Sequence, residues 1–240
     1  MIEIKNLTKR FGRTCAVNDL SLHIPRGEFF TFLGPNGAGK TTTLKIVAGL
    51  LKPTRGVVTV GGHDMAREHI EAKRLMSFVP DVPYVYEKLT GREFMYFIGE
   101  LYGFDRVSYR RRTEELLALF RMEEYGNQLM ESYSHGMKQK IVICSALLPD
   151  PQLIIIDEPM VGLDPKSIRL VKDTLRMRAD GGTTVLMSTH TLTLAEEVSD
   201  RIGIIHRGTL IREGSLDDIK DASLETTNLE DIFLKMTAEA

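Results

Sequence analysis

One run of residues, Gly34-Pro35-Asn36-Gly37-Ala38-Gly39-Lys40-Thr41, constrains this chain more than any other. It fits the spacing G-x-x-x-x-G-K-[ST] and follows the apolar run Phe29-Phe30-Thr31-Phe32-Leu33, so a strand is expected to hand over to a helix across it. The glycines let the backbone curl until successive N–H groups point at phosphate oxygens. Lys40 adds a point charge for the β- and γ-phosphates, and Thr41 offers a hydroxyl to a magnesium ion. From Thr42 to Leu50 the apolar residues keep a helical rhythm, which aims the helix N-terminal dipole at the same phosphates. A glycine-rich turn with no ligand is the competing reading, and the strand-to-helix context argues against it.

The rest of the composition sets outer bounds. With 240 residues, 42% hydrophobic and 27% charged, the chain suits one α/β domain, or one with a small appended subdomain. A formal net charge of −2 gives no basic excess, so no nucleic-acid partner is expected. No stretch approaches a membrane-spanning length, and Met1-Ile2-Glu3-Ile4-Lys5 lacks the basic start and apolar core of a signal peptide, so the chain is expected to stay in the cytosol. Cys15 and Cys144 lie far apart in apolar surroundings and read as reduced core thiols.

Along the chain the pattern changes twice. Up to Leu33, short β-rich runs are punctuated by Phe11-Gly12-Arg13 and Pro25-Arg26-Gly27. After the first helix come a turn at Lys52 to Gly56, a strand at Val57 to Val60, a helix over Met65 to Leu75 and the strand Ser77-Phe78-Val79. Glu93 to Leu101 and Tyr109 to Phe120 then show helical spacing with no strand between them, which predicts a helical insertion. Arg110-Arg111-Arg112 in its second helix could meet anionic lipid or a partner, or simply form a solvated face. From Met137 the α/β alternation returns: a helix to Leu148, a strand Leu153 to Ile156, a helix Pro165 to Arg178, a strand Thr183 to Met187, a helix Thr191 to Val198 and a strand Ile202 to Ile205. Such continuous apolar strands belong to a parallel sheet covered on both faces. The tail, 215–240, is expected to form two short helices.

A second chemical element is Leu153-Ile154-Ile155-Ile156-Asp157-Glu158, a buried strand ending in carboxylates. Asp157 is placed to hold magnesium beside the phosphate loop, and Glu158 to polarise an attacking water. Alternatively Asp-Glu-Pro merely caps the next turn.

With these residues in hand, the chain resembles the ATPase subunit of an ATP-binding cassette (ABC) transporter over nearly its whole length. The resemblance implies a P-loop α/β domain with an N-terminal antiparallel β part and a helical subdomain: one domain over 1–240, a nucleotide-binding core at 1–88 and 134–214, helices at 89–133, and the short helices of 215–240. Phe11 is similar to the aromatic that stacks on adenine, with Val17 packing nearby, and Gly34 to Thr42 would surround the phosphates of ATP. Ser134-His135-Gly136-Met137 lies where the family's signature opens a helix that caps the partner's nucleotide. Gly162-Leu163-Asp164 resembles the loop that crosses the dimer interface, and Ser188-Thr189-His190 ends in the switch histidine. The resemblance further implies a second ABC ATPase subunit, identical or different, separate membrane permeases, and a place on the cytoplasmic face of the membrane. The segment Pro80 to Glu93 looks like exporter ATPases; import is the alternative, and a soluble cassette protein acting on ribosome or DNA a more distant one.

Two departures from the family pattern stand out. Asp81 occupies the place of a usual glutamine, where an acid would bind a hard cation more strongly than an amide, unless it only caps a turn. His135 replaces the first glycine of Leu-Ser-Gly-Gly-Gln, and Tyr133 and Met137 replace its ends, while Ser134 and Gly136 keep a hydroxyl and a close backbone N–H.

Overall fold

The computed structural model describes residues 1–221. Strand β1 (Ile2–Phe11) turns at Gly12-Arg13 into β2 (Thr14–Ile24), with Gly12 at φ +57. Their inward residues, Ile2, Ile4, Leu7, Val17, Leu20, Leu22 and Ile24, are buried, and the outward ones are mostly polar. The fully buried β3 (Phe29–Leu33) leads into helix α1 (Lys40–Val47). There follow β4 (Arg55–Val60), β5 (His63–Asp64), α2 (His69–Arg74), β6 (Met76–Val79), α3 (Gly91–Leu101), α4 (Arg106–Leu119), α5 (His135–Leu147), β7 (Leu153–Asp157), α6 (Pro165–Asp180), β8 (Thr184–Thr189), α7 (Leu192–Val198), β9 (Arg201–His206), β10 (Thr209–Gly214) and α8 (Leu216–Asp221).

Two sheets result. One is antiparallel, in the order β2-β1-β4-β5; the other runs β10-β9-β3-β8-β7-β6, parallel except for the β10 edge. The second sheet is covered on both faces, as the continuous apolar runs require. In β7, Ile154 and Ile156 pack among α3 to α6, whereas Leu153 and Ile155 pack with α1 and the antiparallel sheet. Each such side chain, removed from water, contributes about 1.5–3 kcal/mol. Alternation with a period of two across one strand thus joins both layers, and leaves the strand ends to carry the chemistry.

Helix starts are written locally. Thr90 and Glu93 form a reciprocal capping box at α3, Asp105 accepts from Val107 and Ser108 N–H at α4, and Asp164 accepts from Lys166 and Ser167 N–H at α6, with Pro165 in the first turn.

Several expectations shift. The helix expected from Met65 forms only over His69–Arg74, because Asp64 captures Ala66 N–H through its side chain and Glu68 N–H through its carbonyl, making a turn first. Strand β10 was not foreseen: Arg212 and Glu213 break its apolar pattern, as suits an exposed edge. Cys144 is buried, its thiol pKa pushed up by burial, but Cys15 is only half-buried on β2 rather than in the core; both are free thiols. Arg110 lies over the Tyr96 ring, Arg111 pairs with Glu115 and Arg112 with Asp150, so each finds a partner within the chain. Helix α8 lies in the tail where short helices are expected; the remainder of that expectation lies outside the described residues.

Candidate functional site

The C-terminal ends of β3, β7 and β8 converge, the place where open α/β sheets bind ligands. Behind β3 the chain passes through the glycine-rich loop under tight steric constraint. A Cβ on Gly34 would stand 2.3 Å from the Ile205 carbonyl oxygen, and one on Gly39, at φ +108, 2.4 Å from that of Ala16. Gly39 also brings no side-chain cap to α1, so the first-turn N–H groups of the helix are open to the cleft. Lys40, buried, donates to the Gly34 carbonyl at 2.6 Å and the Pro35 carbonyl at 3.2 Å. Burial lowers its pKa, while the charges of Glu158 and Asp157 act to raise it.

Asp157 ends β7 directly opposite Ser188 of β8, whose hydroxyl donates to Asp157 Oδ1. Its Oδ2 is buried with no hydrogen-bond partner. Burial raises the Asp157 pKa, nearby Asp81 and Glu158 add to the rise, and the hydroxyls of Ser188 and Thr41 oppose it. Glu158 then leaves the sheet in a left-handed conformation, φ +46, a strain of about 1–3 kcal/mol for a non-glycine residue. Its Oε1 lies 3.6 Å from Lys40 Nζ and 3.0 Å from His190 Nδ1. One carboxylate oxygen therefore faces both the loop lysine and the half-exposed histidine that follows β8.

Phe11, Ala16, Pro35 to Thr42, Asp81 and Glu158 line one cleft of about 390 Å³. The exposed Phe11 ring stands at its edge with Lys9 Nζ 4.9 Å from the ring centroid. Val17 does not reach this cleft: it is fully buried in the core, and its neighbour Ala16 forms the wall. The strand's alternation decides this, since Val17 is one of the inward residues of β2. A second hollow of about 430 Å³ lies between α6 and α7; it shares Glu158 with the first, and His190 lines the second alone.

The remaining predicted residues stand apart. Ser134 Oγ caps α5 by accepting from Met137 N–H at 3.3 Å. His135 and Gly136 pack on the loop before α6: a Cβ on Gly162 would stand 2.3 Å from His135 Cδ2, and one on Gly136 2.8 Å from the Gly162 carbonyl oxygen. Asp164 caps α6 and its carboxyl pKa is lowered, chiefly by the Ser167 hydroxyl. None of Ser134, His135, Gly136, Met137 and Asp164 lines the cleft of the glycine-rich loop.

Residues 17–161 match the family described as ABC transporter. This chain belongs to that family. It is 38% identical over 221 residues to the daunorubicin/doxorubicin resistance ATP-binding protein DrrA of Streptomyces peucetius, covering 92% of this chain and 67% of that one. It is 32% identical over 240 residues to the ABC-type transporter ATP-binding protein EcsA of Bacillus subtilis (strain 168), covering 100% and 97%. Among solved structures, the ATP-binding subunit of an ABC transporter superposes with a TM-score of 0.93 at 34% identity, covering 99% of both chains. A bacterial ABC transporter cassette, dimeric and bound to ADP and phosphate after hydrolysis, gives 0.80 at 28% identity, covering 90% and 98%.

The chain is thus an ABC transporter ATPase, with the α/β fold and antiparallel β part expected from its sequence. Its acidic corner fits a magnesium ion. Asp157, whose Oδ2 is orphaned, sits near the Thr41 hydroxyl and within the field of Asp81 and Glu158, a set of hard oxygen donors. Among the described residues no three His, Cys, Asp or Glu side chains cluster as a metal cage. Magnesium does not require one, because it is usually held by one or two carboxylates together with substrate phosphates. Ala16 escaped sequence reasoning because a small apolar residue carries no chemical signature.

Proposed function

We propose that this ATPase uses Glu158 as the base for the water that attacks ATP, in a dimer whose two subunits each complete the other's site. The observation that carries this reading is the Glu158 carboxylate oxygen shared between His190 and Lys40, next to buried Asp157. The N–H groups of the glycine-rich loop and α1 receive the phosphates, Thr42 closes the loop's far side, and Phe11 stacks on the base with Ala16 below. Lys40 exchanges its contacts with the Gly34 and Pro35 carbonyls for phosphate oxygens, which releases Glu158 to orient water while His190 holds its carboxylate. Thr41, Asp157 and Asp81 would hold magnesium, which when bound disperses phosphate charge as it moves to the leaving group.

The second half of each site comes from Ser134, His135, Gly136 and Met137 of the other subunit, with Gly162-Leu163-Asp164 passing between the two. Closure is transmitted to separate permease subunits through the 89–133 helices and the Asp81 loop. Two links serve this: Lys138 of α5 pairs with Glu87 at 2.7 Å, and Met130 N–H donates to the Leu89 carbonyl. No described helix is long and apolar enough to cross a membrane. Relatives named for resistance to daunorubicin and linearmycin, together with the Pro80 to Glu93 segment, favour export and a place on the cytoplasmic face.

The test is ATPase turnover of the purified chain and of Glu158→Gln, with light scattering in ATP. Loss of the base is expected to slow turnover by about 10²–10⁴-fold and to leave an ATP-trapped dimer. Turnover unchanged in Glu158→Gln would overturn the assignment of the base. A Glu158→Gln chain that loses turnover but stays monomeric in ATP would overturn the shared site.

A further inference from the structure

The turn between β9 and β10 meets the nucleotide cleft at a point that none of the sequence motifs covers. Gly208 N–H donates to the Ala38 carbonyl, inside the phosphate loop, at 2.8 Å. The Gly208 carbonyl accepts Asn18 N–H of β2, also at 2.8 Å. The two peptide groups of one buried residue therefore tie the phosphate loop to the strand that carries Ala16. Packing at this junction leaves no slack. A Cβ on Gly208 would stand 2.9 Å from the Ala16 carbonyl oxygen and 3.2 Å from Val17 Cα, and one on Gly39 would stand 2.4 Å from that same oxygen and 3.4 Å from Gly208 Cα. Both glycines have positive φ, +82 and +108, and both close on a single carbonyl. Ala16, Ala38 and Gly39 are all part of the cleft wall.

We propose that Gly208 is a positioning residue of the nucleotide site, which fixes the distance between the base-side wall, Phe11 and Ala16, and the phosphate cradle. The inference rests on reading residues 34–42 as that cradle. Any side chain at Gly208 must push Ala16 outward or pull the Ala38 carbonyl out of reach, and a shift of about 1 Å in a binding frame costs up to about 10²-fold. The frame is common to ATP and ADP. Its distortion therefore weakens both and raises KM, with kcat within about twofold, the signature of lost uniform binding.

The experiment compares Gly208→Ala with Gly182→Ala. Gly182, in the turn between α6 and β8, also has positive φ, +94, but a Cβ there meets nothing within 4 Å. It carries the backbone strain without the collision. Binding of mant-ADP and the KM for ATP are measured for both variants and wild type. Gly208→Ala is expected to weaken mant-ADP about tenfold, near 1.4 kcal/mol, and to raise KM similarly, while Gly182→Ala loses melting temperature but binds within about twofold of wild type. A Gly208→Ala chain that binds like wild type, or equal losses in the two variants, would overturn the proposal. Should Gly208→Ala fail to fold, hydrogen exchange on wild type decides. Peptides over 206–209 are expected to exchange more slowly with ADP bound, and no slowing there while 34–42 becomes protected would overturn it. Failure of wild type itself to bind mant-ADP would instead overturn the reading of the cradle.

Discussion

The chain ends β3, β7 and β8 in groups that meet one another, and opens α5 in groups that do not reach them. At the first place Lys40, Glu158 and His190 are joined by ion-pair contacts, and the charge of Asp157 acts on Lys40 beside them. At the second, Ser134 is occupied in capping its own helix and His135 lies against Gly162. One region holds its chemistry under strain and burial, with a left-handed glutamate and a carboxylate oxygen left unpaired. The other is exposed and locally satisfied. A protein stores strain where the surrounding fold enforces it, so the first region is a finished half of a site. The second is a surface, whose chemistry on this reading is spent on another copy.

Mixing subunits would break or sharpen this contrast most. Lys40→Ala and Ser134→Arg are each expected to abolish turnover in homodimers. In a mixed dimer both lesions fall in the same site, and the opposite site keeps Lys40 from one subunit and Ser134 from the other. Random association then gives about half mixed dimers with one intact site of two, so turnover should return to about a quarter of wild type. If the mixture stays as inactive as its components, the two regions do not cooperate across subunits.

How much of this was legible in advance differs between the same two regions. The parallel strands, the glycine-rich loop and the order of the site residues followed from patterns a linear sequence carries: alternation, spacing and the apolar runs before Gly34 and Asp157. Contacts between backbones carry no such pattern. Ala16, Gly208 and the packing of His135 on Gly162 are set by which strands lie side by side, and β9 lies beside β3 only once the sheet has formed. Val17 is buried in the core for a related reason, since the facing of a strand depends on its register. Asp64 shortened the predicted second helix through a local turn that apolar periodicity does not sense.

A smaller effect probes the packing of His135. Gly162→Ala combines a left-handed backbone, φ +76, with a collision against the imidazole, and should destabilise the chain by about 1–3 kcal/mol in denaturant unfolding. Adding His135→Gly removes the collision but not the backbone strain, so the double variant should recover part of the loss. Recovery of all of it would mean that the backbone at Gly162 is unstrained. Recovery of none would mean that His135 does not rest there, and that the second region is freer than its contacts imply.

The smallest expected effect concerns the acidic corner of the first region. Burial, Asp81 and Glu158 raise the Asp157 pKa above the ordinary aspartate value of about 3.9. Between its unfolded and folded values the native chain therefore holds a proton that the unfolded chain has lost, and unfolding releases it. Stability from this group is complete below the unfolded value and is lost as pH rises through the folded one. Melting temperature of the chain without nucleotide should accordingly carry a component falling with pH just above 4, and Asp157→Asn should remove that component. Asp81→Asn should move it to lower pH, because one of the two charges that raise Asp157 is gone, and should also raise the magnesium concentration that half-saturates turnover. An unchanged pH component in Asp81→Asn would place Asp81 too far from Asp157 to share a cation with it, leaving it as a turn residue at the edge of the cleft. A finished half-site should show this stored repulsion, and the surface where α5 and α6 begin should not, so the equivalent charge removal at Asp164, the cap of α6, whose pKa is lowered by Ser167, should have the opposite sign with pH.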